Sequence, residues 1–285
     1  MQSQNLKTGR EKEKVPIPHE ERTKGEKVHR VALYDIQGFN NEVKVLRLRP
    51  LGEGLMFLPG QWLDVHIPTL PKAGGFTITS SPSILTSKDP YIELAIQRSP
   101  SNPAAAWLWQ SPTSILNLEL QVRVGGSFTW SPRQNTLKRA VFVAGGVGIN
   151  PLISMLSQII ADGKEKWDGE VRFLYSVRDP GIDGLGKVLF LERLRKCIQA
   201  LGEKGSLKLF LTSPKGKKTL VQEEIDVQRG RMTKDNLVQA LGSVEERKNT
   251  VMYICGVPGM VDEFVDVAGS LEGMRCENVM FEKWW

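Results

Sequence analysis

The sequence KRAVFVAGGVGINPLISMLSQIIAD, residues 138–162, decides the fold of this chain. It opens with a continuous apolar run, passes through a glycine-rich turn and ends with apolar residues at helical spacing. Asn150 suits the N-cap of that helix, and Pro151 suits its first helical position. The stretch therefore predicts a buried strand, a tight turn and an amphipathic helix, in that order.

The same alternation continues to the end of the chain. Four further segments have the composition of strands: EVRFLYSV, SLKLFLTS, TVMYICG and ENVMFEKW. Three segments between them are predicted as helices: KVLFLERLRKCIQAL, TKDNLVQAL and PGMVDEFVDVAGSL. Strands that alternate with helices form a parallel, doubly wound sheet, so residues 137–285 are predicted to be one α/β domain.

Residues 28–132 have a different pattern, with six short alternating segments: VHRVALYDI, EVKVLRLR, QWLDVHIP, FTITSS, YIELAIQR and LQVRVGGSF. Because Gly, Pro and Asn separate these segments, they predict a small antiparallel β-barrel or sandwich. The segment AAAWLWQ is predicted to be a short covering helix. Residues 1–27 are polar and mixed in charge, which indicates a flexible polar arm.

The composition excludes several classes of protein. Of the 285 residues, 40% are hydrophobic and 25% charged, which excludes disorder for most of the chain. We expect no membrane span, because no apolar run reaches roughly 18–20 residues, and no secretory signal. A cytoplasmic location is therefore expected, with the mitochondrion as the alternative. The net charge of +6 comes from basic residues interleaved with acidic ones, so no nucleic-acid partner is expected.

Cysteine and histidine usage narrows the chemistry. The three cysteines are far apart and odd in number, which excludes a disulfide scaffold, a plant-type iron–sulfur cluster and a cysteine-rich zinc site. No metal is therefore expected. The three histidines lie in the first quarter of the chain, and neither an HExxH helix nor a GxSxG turn occurs. These observations argue against a metalloprotease or a histidine-dependent hydrolase.

Two glycine-bearing turns predict where a ligand binds. In a doubly wound sheet, ligands bind beyond the carboxyl ends of the strands, where the strand order reverses. If the order is 3-2-1-4-5, the neighbouring first and fourth strands end in the turns at residues 144–148 and 255–259. Each turn opens a helix whose N-terminus attracts phosphate, and its glycines let a ligand approach the backbone. Alone, the GGxG sequence fits a turn without a ligand equally well.

Three motifs together resemble the ferredoxin–NADP reductase superfamily. Residues 145–151 contain a GGxGxxP turn, residues 255–260 a CGxPxM sequence, and residues 76–80, FTITS, resemble the second half of an RxYS flavin motif. The resemblance covers residues 28–285 and, with the ending FEKWW, is closest to the oxidoreductase NAD-binding-domain-containing proteins. It implies a FAD-binding FR-type β-barrel over residues 28–132, followed by an NAD(P)-binding domain.

The resemblance also implies roles for individual residues. The predicted catalytic residues are Thr77 at the flavin edge, Cys255 at the nicotinamide carbon that carries the hydride, and Glu282 near the flavin ring. Trp284 is expected to stack on the flavin until the nicotinamide displaces it; packing into the domain interface is the alternative. The residues predicted to bind FAD or NAD(P)H are Phe76, Thr77, Ile78, Thr79, Ser80, Arg98, Gly145, Gly146, Val147, Gly148, Ile149, Asn150, Pro151, Ser176, Arg178, Arg231, Cys255, Gly256, Pro258, Met260 and Trp284.

The choice between NAD and NADP is left open by the sequence. Ser176 and Arg178 follow the second strand, where relatives recognise the adenosine ribose or its 2′-phosphate, and Arg231 is a further phosphate candidate. No acidic residue ends that strand directly, although NAD-selective sites often place one there. Asp179 is close enough to leave both nucleotides as alternatives.

Two departures from the family pattern concern the flavin phosphates. Gly74 stands where most relatives have an arginine, and Ala105 stands where they have a hydroxyl at a helix start. Each lost charged hydrogen bond costs about 1.5–3 kcal/mol, roughly tenfold to a hundredfold in affinity. Arg98 is the candidate substitute; a solvated arginine at a strand end is the alternative.

These observations predict a flavin-dependent NAD(P)H oxidoreductase. Hydride would pass from the nicotinamide to FAD, and electrons would then pass to an unidentified acceptor, such as a separate redox protein. The alternative is a non-catalytic module that senses nucleotides or binds a partner and has a degenerate flavin site.

Overall fold

The computed structural model describes residues 27–130, 137–181, 184–213 and 226–284. Several sequence predictions lie outside these residues: all of the polar arm except residue 27, the start of the boundary segment SPRQNTLK, and Trp285. The described chain forms two six-stranded sheets, the first antiparallel and the second parallel. None of its helices is long and apolar enough to span a bilayer.

The first sheet is the antiparallel barrel that the alternating segments predict. Its strands are β1 (His29–Gly38), β2 (Val43–Pro50), β3 (Trp62–His66), β4 (Gly74–Thr77), β5 (Ile92–Gln97) and β6 (Glu119–Gly125). The strand order is β4-β3-β6-β1-β2-β5, and a bridge between Ile78 and Leu94 joins the two ends of the sheet. Two short helices cover the barrel, α1 (Pro103–Leu108) and α2 (Pro112–Ile115).

The second sheet is parallel and doubly wound. Its strands are β7 (Arg139–Gly145), β8 (Glu170–Arg178), β9 (Gly205–Thr212), β10 (Asp226–Arg229), β11 (Thr250–Gly256) and β12 (Val279–Lys283). Its helices are α3 (Ile149–Asp162), α4 (Leu191–Leu201), α5 (Lys234–Leu241), α6 (Val244–Arg247) and α7 (Pro258–Ser270). The order β10-β9-β8-β7-β11-β12 contains the expected 3-2-1-4-5 arrangement, extended by β10 at one edge.

Alternate residues of the central strands bury opposite faces of this sheet. On β7, Phe142 lies in the apolar cluster that includes α3 and α4, whereas Val141 and Val143 lie in the cluster that includes α5 and α7. Every residue of β11 is buried. Burial on both faces explains why these strands are continuous apolar runs in the sequence.

The structure corrects three local predictions. The predicted N-cap Asn150 lies inside α3, which begins at Ile149 after a 3₁₀ turn over Gly146–Gly148. Helix α4 begins at Leu191, because Phe190 adopts a left-handed conformation with φ of 57°. Strand β10 was not predicted, because its sequence DVQR has no apolar run and none of its residues is fully buried.

The barrel and the parallel sheet are joined along α3. The Asn150 side chain donates from Nδ2 to the Ala95 carbonyl (3.0 Å), and the Ser154 hydroxyl donates to the Ser80 carbonyl (2.6 Å). The Tyr253 hydroxyl donates to the Thr129 carbonyl (3.1 Å). Asn150 therefore acts as a contact between the two parts of the chain and not as a helix cap.

Candidate functional site

The two glycine-bearing turns meet at the carboxyl edge of the parallel sheet. Strands β7 and β11 are neighbours, and Cys255 pairs with Ala144. A Cβ atom on Gly148 would lie 2.2 Å from the Cys255 carbonyl oxygen and 2.8 Å from the Gly256 nitrogen. Only glycine permits this approach, so Gly148 packs one turn directly against the other.

The other glycines of the turns have different roles. Gly146 has a φ of +55°, is exposed, and has no atom within 4 Å of an added Cβ. By contrast, the Met260 methyl group fills the space beside Gly145 and Gly256, where added Cβ atoms would lie 2.8 and 2.6 Å away. Gly146 is thus the position at which a ligand can reach the backbone, and Met260 closes the gap between the turns.

The remaining predicted residues of the turns divide by burial. Ile149, Asn150 and Pro151 are buried and anchor the start of α3. Val147 and Pro258 are half-buried at the two turns. The two turn motifs therefore contain residues that pack the protein interior as well as residues that solvent reaches.

The C-terminal strand places two predicted residues beside this edge. Glu282 pairs with Cys255 in the β11–β12 register. The Trp284 backbone N–H donates to the Gly256 carbonyl (3.3 Å), and its indole Nε1 donates to Glu282 Oε2 (3.2 Å). The half-buried indole also packs against the apolar cluster that contains Cys255. The structure thus brings Cys255, Glu282 and Trp284 together at the carboxyl edge of β11 and β12.

The Cys255 thiol is held in its protonated form. Its side chain is fully buried, and this burial is the main cause of a pKa well above the ordinary thiol value. The nearby Glu282 carboxylate raises that pKa further, and a hydrogen bond with Trp284 acts in the opposite direction. Because the thiolate is the nucleophilic form, Cys255 is suited to packing against a ring and not to covalent catalysis.

The predicted flavin segment is buried, with Phe76 and Ile78 in the apolar core of the barrel. Phe76 and Thr77 are 8% and 6% exposed at the end of β4, and Ile78 is fully buried. The Thr79 hydroxyl donates to Glu93 Oε1 (2.9 Å), and the Ser80 hydroxyl accepts from the Glu93 backbone N–H (3.1 Å). The hydroxyls of Thr79 and Ser80 are therefore bonded within the barrel. Thr77 is the remaining hydroxyl residue of this segment, and it stays the predicted ligand contact.

Glu93 is the centre of an ion-pair network that the sequence analysis missed. Its carboxylate is 1% exposed and accepts from Arg193 Nη2 on α4 at 2.7 Å. Arg193 Nη1 also donates to the Thr79 carbonyl (3.2 Å), and Arg47 lies 3.7 Å from the same carboxylate. One signal of this network was present in the sequence, the glutamate inside the apolar run YIELAIQ. A carboxylate buried in such a strand requires a cationic partner.

The carboxyl end of β8, the second strand of the parallel domain, carries an exposed arginine. Ser176 is half-buried and Arg178 is exposed at the carboxyl end of β8. The Asp179 side chain is 1% exposed, accepts from Arg229 Nη1 (2.8 Å) and accepts from the Gly181 N–H (2.9 Å). The Asp179 carboxylate is therefore engaged within the protein, whereas Arg178 projects from the edge where a nucleotide ribose would lie. Arg231, beyond β10, is also exposed.

The two positions that the family pattern assigns to the FAD diphosphate, Gly74 and the start of α1, are both closed. A Cβ atom on Gly74 would lie 2.4 Å from Ala104 Cβ and 2.8 Å from the Phe76 ring, so no cationic side chain fits there. At the start of α1, Asn102 Oδ1 accepts from the backbone N–H groups of both Ala104 and Ala105 at 3.1 Å. Neither position 74, where most relatives have an arginine, nor the start of α1 is open to a phosphate.

The candidate substitute Arg98 lies at the other end of α1. Its exposed guanidinium lies over the Trp109 ring, 5.8 Å from the centroid, and Trp109 is the C-cap of α1. Lys44 is at the same end, where it donates to the carbonyls of Trp109 (3.0 Å) and Gln110 (2.8 Å). The six residues of α1 separate these cations from Asn102 by about 9 Å.

Metal chemistry has no candidate in the described ranges. No group of three or more His, Cys, Asp or Glu side chains there could hold a metal ion. A cavity of about 350 Å³ lies at the far end of β3 from its Thr77 pairing, lined by Arg30, His66 and Gln121 among others. This cavity is remote from the two turns.

Comparison with known proteins identifies the family. The family profile of the oxidoreductase NAD-binding domain matches residues 142–266, which include both turns. The chain is 35% identical to a Bos taurus protein named oxidoreductase NAD-binding domain-containing protein 1, over 85% of this chain and 76% of that protein. A Xenopus laevis protein of the same name is 31% identical over 87% of this chain and 77% of that protein.

Solved structures share the two-part architecture. The flavohem-like FAD/NAD-binding domain of a Vibrio cholerae nitric oxide dioxygenase matches with a TM-score of 0.67, at 16% identity, over 90% of this chain and 98% of that one. A Neisseria gonorrhoeae ferredoxin NADP+ reductase with bound FAD and NADP matches with a TM-score of 0.65, at 16% identity, over 90% and 98%. The fold, the two turns and the sequence identity together show that this chain belongs to the oxidoreductase NAD-binding domain-containing protein family, within the ferredoxin–NADP reductase-like fold.

Proposed function

We propose that the protein is a flavin-dependent NAD(P)H oxidoreductase. The observation that carries the proposal is the meeting of Gly146, Cys255, Glu282 and Trp284 at the edge where the strand order of a NAD-binding sheet reverses. The solved relatives whose names include FAD support a flavin as the hydride acceptor. A flavin supplies the electron-accepting ring, and the chain supplies orientation and the exclusion of water.

Each residue has a defined task in this proposal. The open backbone at Gly146 and the N-terminus of α3 receive the nucleotide phosphates. The packed Cys255–Gly256 turn forms a flat wall against the nicotinamide, and Thr77 contacts the edge of the flavin ring. The Trp284 indole covers the flavin position until the nicotinamide takes its place. Glu282 holds that indole in position through its 3.2 Å hydrogen bond.

A steady-state assay tests the proposal. The purified full-length protein is mixed with NADPH or NADH and FAD, and nucleotide oxidation is followed by its near-ultraviolet absorbance. We expect oxidation that requires protein, nucleotide and flavin together. Nucleotide oxidation by protein that carries no flavin and is given none, or no oxidation with any flavin, contradicts the proposal.

A second candidate is a non-catalytic nucleotide-sensing or partner-binding module. The closed diphosphate positions at Gly74 and Asn102 favour it, because they weaken flavin binding and leave the nucleotide turns intact. Calorimetry with NADPH and with FAD separately distinguishes the two candidates. Nucleotide binding without any flavin binding supports the module, whereas binding of both ligands supports the oxidoreductase.

A further inference from the structure

We infer that the flavin is an exchangeable substrate of this protein, recognised through its ring, and not a tightly held FAD. This inference rests on the proposed function and names the class of hydride acceptor: free flavins, including riboflavin, FMN and FAD. It depends on the contrast between the half-buried Trp284 indole, which packs against the cluster that contains Cys255, and the closed diphosphate position at Gly74 and Asn102.

Neighbouring atoms close the space around Gly74. This residue pairs with Val65 in the β3–β4 register and is buried. Because Ala104 Cβ and the Phe76 ring already occupy the space around it, no side chain at this position could project a charge toward a phosphate. The closure is reciprocal, since Ala104 and Ala105 are themselves only 3% and 2% exposed.

The backbone donors at the start of α1 are already bonded within the protein. Asn102 Oδ1 accepts from the Ala104 and Ala105 N–H groups, and its own carbonyl accepts from the Ala106 N–H (2.8 Å). These are the donors that a helix start would otherwise offer to an anion. With both donors bonded internally and no hydroxyl at residue 105, a diphosphate would have to displace an existing cap.

The nearby cations are either held at the far end of α1 or exposed to solvent. Arg98 and Lys44 are held at the C-terminal end of α1, and Lys72 is an exposed side chain in the loop before β4. A solvated, mobile cation changes the affinity for an anion by less than about tenfold, far less than a bidentate contact from a held arginine. The phosphates of FAD therefore contribute little to binding, and the ring determines it.

The reaction balances with free flavin as the acceptor. The C4–H bond of the nicotinamide breaks, and its electron pair moves with the hydrogen to N5 of the flavin ring. One proton from solvent completes the reduced flavin, so NAD(P)H, flavin and a proton give NAD(P)⁺ and dihydroflavin. The dihydroflavin then dissociates and carries two electrons to the next acceptor.

The test compares three flavins as substrates of the full chain. We expect KM values for riboflavin, FMN and FAD within about tenfold of one another, and no flavin retained after the protein is passed through a desalting column. FAD retained by the desalted protein, or a KM for FAD about a hundredfold below that for riboflavin, overturns the inference. Failure to reduce any of the three flavins overturns the proposed function itself.

Two variants examine the remaining cations. Arg98→Ala and Lys72→Ala are expected to leave the ratio of FMN to riboflavin KM values within about threefold of the unmodified protein. Arg49→Ala is the matched control, because Arg49 is an exposed barrel arginine over a tyrosine ring, 4.2 Å from the Tyr34 centroid. A selective loss of FMN and FAD in Arg98→Ala or Lys72→Ala, absent in the control, shows a phosphate contact and overturns the inference.

Discussion

At the scale of single residues, burial decides which groups of the site can react. Cys255 is fully buried and its pKa is raised, whereas Cys276 is exposed. Asp179 is engaged by Arg229, whereas Arg178 stands exposed at the end of the second strand. The sequence contained no information on which cysteine, or which member of the Arg178–Asp179 pair, is accessible.

Arg178→Ala is expected to raise the KM for NADPH roughly tenfold to a hundredfold and to change that for NADH little. The reason is that Arg178 can bond a 2′-phosphate, while the Asp179 carboxylate, which could bind a ribose diol, is already bonded to Arg229. Steady-state kinetics with each nucleotide measures the effect. Arg275→Ala, an exposed arginine before β12 at the opposite edge of the sheet, is the control. Equal losses for NADPH and NADH contradict the account.

At the scale of elements, the turns and caps of the parallel domain hold the nucleotide edge in shape. The sequence correctly predicted the strand–turn–helix order around residues 138–162 and the adjacency of the first and fourth strands. It misplaced the α3 N-cap, because the helix begins in a 3₁₀ turn and Asn150 bonds the barrel instead. A tertiary contact of this kind leaves no mark in local periodicity.

Gly148→Ala is expected to destabilise the protein by about 1–3 kcal/mol, because the new methyl group overlaps the Cys255 carbonyl. Nucleotide affinity should fall in parallel, since the two turns must separate. Gly259→Ala on α7 is the matched control, because an added Cβ there has no atom within 4 Å, and helix propensity favours alanine by about 1 kcal/mol. Urea unfolding measures both variants. A Gly148→Ala protein as stable as the control would show that the turns are not in contact.

Acid stability depends on the cap of α6. Glu246 accepts from the Ser243 N–H (2.7 Å) and from Arg139 Nη2 (2.6 Å), which lowers its pKa from 4.5 to about 2. A carboxylate with a lowered folded pKa stabilises the protein above pH 4.5, and this contribution disappears as the pH falls toward 2. The difference in Tm between the unmodified protein and Glu246→Gln should therefore shrink over that range. A difference that stays constant with pH would exclude Glu246 as its source.

At the scale of the whole molecule, hydrogen bonds and a buried ion pair join the barrel to the parallel sheet, and in the proposed function this contact sets how a flavin and a nicotinamide would meet. The sequence predicted both architectures from strand spacing alone, but it did not predict the contact. The Glu93–Arg193 pair joins residues 100 positions apart, and neither belongs to a motif. Long-range ion pairs of this kind become visible only when the chain is folded, although a glutamate in an apolar strand indicates that a partner exists.

Arg193→Ala is expected to cost about 2–4 kcal/mol of stability, because it leaves the buried Glu93 carboxylate with the Thr79 hydroxyl and the more distant Arg47 cation. The rate of hydride transfer should fall more than nucleotide affinity, since the two parts of the chain lose their fixed register. Lys196→Ala on the same helix is the control, because that exposed side chain pairs only loosely with Glu192 (3.6 Å). Equal stability of the two variants would show that the Glu93 network does not fix the interface.

The most direct test of the central claim is a single-turnover measurement without oxygen. Protein and flavin are mixed rapidly with NADPH, or with NADPH deuterated at the transferred position, and the visible absorbance of the flavin is followed. The account predicts rapid loss of that absorbance, slowed by deuterium because the C4–H bond breaks in the step observed. A flavin absorbance that stays unchanged after nucleotide binding would contradict it.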